Sequence, residues 1–133
     1  MSDFTLVNLS DLDDQAPSFG VSDISFRGAR DALGGSRFGL SLQSVDAGAR
    51  QPFGHRHTEE EEVYVVLSGS GRMRLGEEEI DVRAMDAVRV APEVTRAFEA
   101  GADGLTFLAF GTPGAGSGDG DMQPGWWGEG GAA

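Results

Sequence analysis

The apolar residues of this chain come in short runs cut by Gly, Asp and Pro, a layout that builds several short strands in place of long helices. Phe38, Leu40 and Leu42 alternate with Gly39 and Ser41, the period of a half-buried strand. Val63-Tyr64-Val65-Val66-Leu67, rich in β-branched and aromatic side chains, runs into the turn Ser68-Gly69-Ser70-Gly71. Beyond it Met73 and Leu75 alternate with Arg72 and Arg74, Gly76-Glu77-Glu78 interrupts, and Ile80 and Val82 alternate with Asp81 and Arg83, a hairpin with one inward face. Val88 and Val90, then Phe98, then Leu105 through Phe110 continue the series at the spacing of a sandwich or barrel. The expected class is all-β. One short helix is expected over Ala29-Arg30-Asp31-Ala32-Leu33, stopped by Gly34-Gly35.

With 133 residues the chain suits one domain with its own core. It has no cysteine, so disulfides, thiolate metal sites and cysteine nucleophiles drop out, and any metal must take nitrogen and oxygen ligands. Ten basic residues, all Arg, face 22 acidic ones for a net charge of −12, which repels phosphate backbones and anionic lipid alike. Nucleic acid and membrane are therefore not expected as partners. No apolar run approaches the roughly 20 residues that would cross a bilayer. Met1 to Leu12 opens with Asp3 and lacks a basic n-region, so a cytoplasmic location is expected.

Both histidines lie in one stretch, Gly54-His55-Arg56-His57-Thr58-Glu59-Glu60-Glu61-Glu62-Val63-Tyr64. Residues at i and i+2 of a strand share a face, so His55 and His57 can converge on one point while Arg56 faces away. Two imidazoles and one carboxylate make the facial set of non-haem iron and of related manganese, nickel or zinc sites. The residues alone leave open which glutamate completes the set. They also leave open a blander arrangement, two polar strand residues beside an acidic loop.

The stretch resembles the first motif of the cupin family, a glycine, the pair H-x-H, three or four residues, E, six residues and a glycine. His55-Arg56-His57, a gap of four, Glu62, a gap of six and Gly69 follow that pattern, with Gly48 one place further upstream than the family's first glycine. The resemblance implies a double-stranded β-barrel of jelly-roll type with His55, His57 and Glu62 as ligands of a divalent metal ion, Fe, Mn, Ni or Zn. It leaves Glu59, Glu60 and Glu61 as surface residues, and it implies a homodimer. The second cupin motif is largely replaced: Met85, Ala91, Glu93 and Ala100 stand at its glycine, proline, glycine and asparagine places, and Arg96 takes the place of its histidine ligand. A guanidinium stays protonated and cannot bind a cation.

Arg96 admits two arrangements. It can reach a substrate's carboxylate or other anion through its bidentate fork, beside a three-ligand metal. It can instead turn inward onto Glu62 and put its charge where the metal would be. The first gives a metal-dependent protein with an oxygenase- or isomerase-type step on a small anionic molecule. The second gives a metal-free small-molecule-binding cupin. Tyr64 and Arg96 are the candidate substrate-binding residues, and Tyr64, Val66, Met73 and Leu75 share the parity expected of an apolar cavity lining. The expected division is an N-terminal extension over 1–36 packing on the barrel, a barrel over 37–111, and a Gly-rich tail over 112–133. Gly-rich composition leaves that tail too little apolar surface to order itself. Trp126-Trp127 is the exception in it, a pair expected to dock on the barrel, on a second subunit or over the pocket mouth.

Overall fold

A computed structural model describes residues 3–112 and 120–127. Eight antiparallel strands form one curled sheet: β1 (Ile24–Gly28), β2 (Gly39–Val45), β3 (Phe53–Arg56), β4 (Glu61–Leu75), β5 (Glu78–Arg83), β6 (Ala87–Val90), β7 (Arg96–Thr112) and β8 (Asp121–Pro124). The helix α1 (Arg30–Leu33) stops at Gly34, whose φ of 73° is the left-handed cap a glycine adopts without strain. Among the described residues no helix is long and apolar enough to cross a membrane.

Two strands do most of the folding. β4 and β7 pair with each other along almost their whole length, and their register shifts between Val66 and Ser68 and between Gly69 and Gly71. The first half of β4 and the last half of β7 join β2, β1 and β6 in one layer. The second half of β4 and the start of β7 join β5, β3 and β8 in the other. Each long strand thus bends from layer to layer, as bulges and glycines allow. Gly69 sits at the bend with φ 80°, and a Cβ there would overlap the Gly104 carbonyl, whose own φ is 76°. The motif glycine is needed for both reasons at once.

The core lies between the layers. Phe98 and Phe107 stack at 4.2 Å, Tyr64 meets both edge-on, and Val66, Met73, Val82, Val90 and Leu105 close around them. Val66 and Met73 are therefore packed side chains and not part of a cavity wall. β2 departs from its expected faces in the same way. Its buried residues are Ser41, Gln43 and Val45, while Leu40 and Leu42 are only partly buried. The barrel interior beside β2 is a cavity with polar groups, so the alternation holds and its sense is reversed.

β1 is a strand that its sequence did not mark, and it adds to β2 in register from Ile24–Val45 to Gly28–Ser41. Part of the segment expected to lack order is also strand. Asp121–Pro124 pairs with Phe53–Arg56, and the two tryptophans behind it are held by arginines. Arg50 lies over Trp127 at 4.5 Å and Arg74 over Trp126 at 4.3 Å. Trp127 Nε1 donates to the Gln51 carbonyl at 2.7 Å, and Arg74 Nη1 donates to the Trp126 carbonyl at 2.8 Å. Borrowed cation–π and hydrogen-bond contacts supply what the Gly-rich composition cannot. The rest of the segment, 113–119 and 128–133, lies outside the described residues.

Candidate metal centre and its cavity

His55 is the third residue of β3, His57 follows that strand directly, and Glu62 is the second residue of β4. The His57 N–H donates to the Pro92 carbonyl at 2.7 Å, which fixes the chain as it leaves β3. The two imidazoles stand at right angles, 5.2 Å between ring centres. Their Nε2 atoms face the same oxygen, Glu62 Oε1, at 3.4 Å from His55 and 3.3 Å from His57. His55, His57 and Glu62 thus offer one ligand atom each within 4.8 Å of one another.

Two further side chains back this oxygen from the core side. Tyr64, on the same face of β4, donates its hydroxyl to Glu62 Oε1 at 2.5 Å, and that hydroxyl lies 3.4 Å from His55 Nε2. Arg96 opens β7 opposite His55, is 0% exposed, and brings Nη2 to 3.4 Å from Glu62 Oε1. Its Nη1 donates to the carbonyls of Val94 at 2.8 Å and Pro92 at 3.2 Å, while Nε and Nη2 make no hydrogen bond among the described residues. Of the two arrangements open to Arg96, the structure has the inward one, on Glu62. Neither Arg96 nor Tyr64 forms part of the cavity wall.

These contacts decide the charge states. Burial pushes the Glu62 carboxyl up, but the imidazoles of His55 and His57 and the Tyr64 hydroxyl outweigh it and hold Glu62 well below the usual carboxylate range. Burial, and then the neighbouring Glu62 charge, push the Tyr64 phenol well above its ordinary value. Glu62 is ionised and Tyr64 protonated at neutral pH.

Glu60 differs from the expectation that it lies on the surface. Its carboxylate is tucked against Gly39 and Gly111, where a Cβ on Gly111 would press on it, and Oε1 lies 3.7 Å from His57 Nδ1. A carboxylate behind the far nitrogen of an imidazole orients the ring and raises its basicity. Only the facing glycines, 21 and 51 residues away along the chain, could have marked it. Glu59 and Glu61 are exposed as expected, and Glu61 pairs with Arg89 at 2.9 Å.

The cluster opens on a cavity of about 580 Å³. Its apolar side is Phe19, Val21, Ile24, Phe26, Phe53 and Met122, and its polar side is Ser41, Gln43 and Gln51. The N-terminal residues escaped sequence reasoning because they reach the site only through β1 and the turns before it.

The sequence profile of the cupin domain matches residues 41–109. The chain belongs to the cupin family. A cupin protein from Bacteroides fragilis is similar over 88% of this chain and 89% of its own, with 29% identity and a TM-score of 0.70. The polyketide cyclase RemF from Streptomyces resistomycificus shares the fold at a TM-score of 0.72 and 20% identity, over 90% of this chain and 84% of its own. A cupin-superfamily sugar phosphate isomerase from Silicibacter pomeroyi shares it at 0.63 and 20%, over 77% and 76%. No curated protein matches this cupin by sequence.

Proposed function

We propose that this cupin holds one divalent metal ion on His55, His57 and Glu62 and presents it to a small molecule in the adjoining cavity. The spacing of the donors carries the reading. Both imidazole nitrogens stand 3.3–3.4 Å from one carboxylate oxygen, longer than the ordinary hydrogen bond between such groups. Donors about 2.0–2.2 Å from a shared centre, set at tetrahedral or octahedral angles, stand about 3.0–3.5 Å apart. Glu60 behind His57 is the outer carboxylate that metal-binding imidazoles use. The residues present fit the ion.

When bound, the ion supplies Lewis-acid polarisation to an oxygen of the small molecule, as in metal-assisted oxygenation or isomerisation. The chain's own residues prepare the place. Glu62 stays ionised, and Tyr64 keeps its proton and orients the carboxylate. Other barrels of this shape are an isomerase and a cyclase, so the frame leaves the reaction to the cavity wall.

Elemental analysis of tag-free protein, reconstituted in turn with iron, manganese, nickel and zinc, tests the reading. About one equivalent of one metal is expected, lost in His57→Ala and in Glu62→Gln. Trace metal that is the same in protein and variants overturns it.

One observation favours a second reading, a metal-free binding barrel. A wholly buried guanidinium 3.4 Å from Glu62 already neutralises the carboxylate and opposes a further cation. On that reading Arg96→His, which removes the fixed charge and adds a donor, converts a protein that binds no metal into one that does.

A further inference from the structure

We propose that the cavity takes an uncharged, partly apolar molecule that presents carbonyl-type oxygens to a row of hydrogen-bond donors on Ser41, Gln43 and Gln51. The proposal rests on reading this cavity as the ligand site and is independent of the metal. All three residues line the cavity and are nearly buried, at 6%, 8% and 9% exposure.

Their polarity is set from one end. The Phe98 backbone N–H can only donate, and it donates to Gln51 Oε1 at 2.9 Å, so the Gln51 amide must turn its nitrogen the other way. That nitrogen donates to Gln43 Oε1 at 3.4 Å, which turns the Gln43 nitrogen onward to Ser41 Oγ at 3.0 Å. An amide nitrogen carries two hydrogens and a hydroxyl carries one. Each amide therefore keeps one N–H, and Ser41 keeps its O–H, without a partner among the described residues. Buried carbonyls tolerate a spare lone pair, whereas a spare N–H on a nearly buried side chain calls for an acceptor. The row asks its ligand for oxygens.

The rest of the wall excludes an anion and supplies an apolar seat. Glu60 and Glu62 face the cavity, and Arg96, which could have received a carboxylate, is buried behind Glu62. An anion would lose its hydration there with no buried guanidinium in the wall to receive it. Beside the donor row, Phe26, the β1 partner of Gln43, meets Phe19 edge-on at 6.4 Å and 77°, and Ile24, Phe53 and Met122 also line the cavity. A flat hydrocarbon skeleton fits there, with its oxygens turned to the glutamines.

Three probes on one skeleton test this: 2-acetylnaphthalene, 2-ethylnaphthalene and 2-naphthoate, with dissociation constants measured by ligand-detected NMR on metal-stripped and on zinc-treated protein. The ketone is expected to bind about tenfold more tightly than the hydrocarbon and than the carboxylate. Gln43→Met, which keeps the shape and removes the donor, and Ser41→Ala are each expected to reduce that preference, with circular dichroism and melting temperature confirming the fold. Gln51, which secures the Phe98 backbone, is left intact. The preference should be the same on metal-stripped and on zinc-treated protein, so loss of metal binding and failure of this proposal are read separately. Tighter binding of the carboxylate, equal binding of ketone and hydrocarbon, no binding of the ketone at millimolar concentration, or an unchanged preference in both folded variants overturns it.

Discussion

Glu62 Oε1 is the most crowded atom of the site, with a hydroxyl, two imidazole nitrogens and a guanidinium nitrogen within 3.4 Å. Its shortest contact is the one from Tyr64. Removing that donor leaves a buried carboxylate short of its strongest hydrogen bond, so Tyr64→Phe is expected to lower stability by about 1–3 kcal/mol. Urea unfolding of protein and variant checks this. Glu99 is the corresponding residue outside the site. Hydrogen bonds from Arg72 at 2.5 Å and Arg50 at 2.9 Å outweigh its slight burial and hold its carboxyl below the ordinary value. A lowered folded pKa gives stability that is present above the unfolded value, near 4.5, and is lost as pH falls through the folded one. Glu99→Gln should therefore melt below the parent at neutral pH, and the gap should close as the pH is lowered below the unfolded value of 4.5.

Among the elements, β3 has the most to hold. It carries His55, it meets β7 at the single pair His55–Arg96, and its other edge is covered by β8. β8 is in turn fastened by Trp126 and Trp127 under their arginines. Gly54 is what lets Trp126 lie flat on β3, since a Cβ there would come 2.7 Å from the ring and 2.8 Å from Thr95 Cγ2. Gly54→Ala is expected to lift Trp126 away from the strand, seen as a shift of tryptophan emission to longer wavelength and a rise in acrylamide quenching. The far-ultraviolet circular dichroism of the other strands should hardly change.

In the whole molecule the two layers share β4 and β7, so neither layer has strands enough to stand alone. One cooperative unfolding transition follows. Phe107, fully buried and stacked on Phe98 between the layers, joins them most directly. Phe107→Ala is expected to cost about 3–5 kcal/mol and to lower the melting temperature of the entire barrel as one transition, measured by calorimetry. Two separate transitions in the variant would contradict the shared-strand account.

Local chemistry was legible in the residues themselves. Alternation marked β2, β4, β5 and β7, the Gly34-Gly35 stop ended α1, and His55, His57 and Glu62 stood at a spacing that brings them together, because strand period and turn conformation depend on near neighbours. What depends on distant neighbours was decided by tertiary structure alone. Which side chains of β2 are most buried turned on there being a cavity, which is why Ser41 and Gln43 are buried and Leu40 and Leu42 only partly so. Arg96 points at Glu62 because β7 begins opposite His55, and Glu60 is half-buried because Gly111 leaves room for it. Long-range pairing sets such placements, and a pattern that repeats every two residues carries no record of which strand will lie beside it.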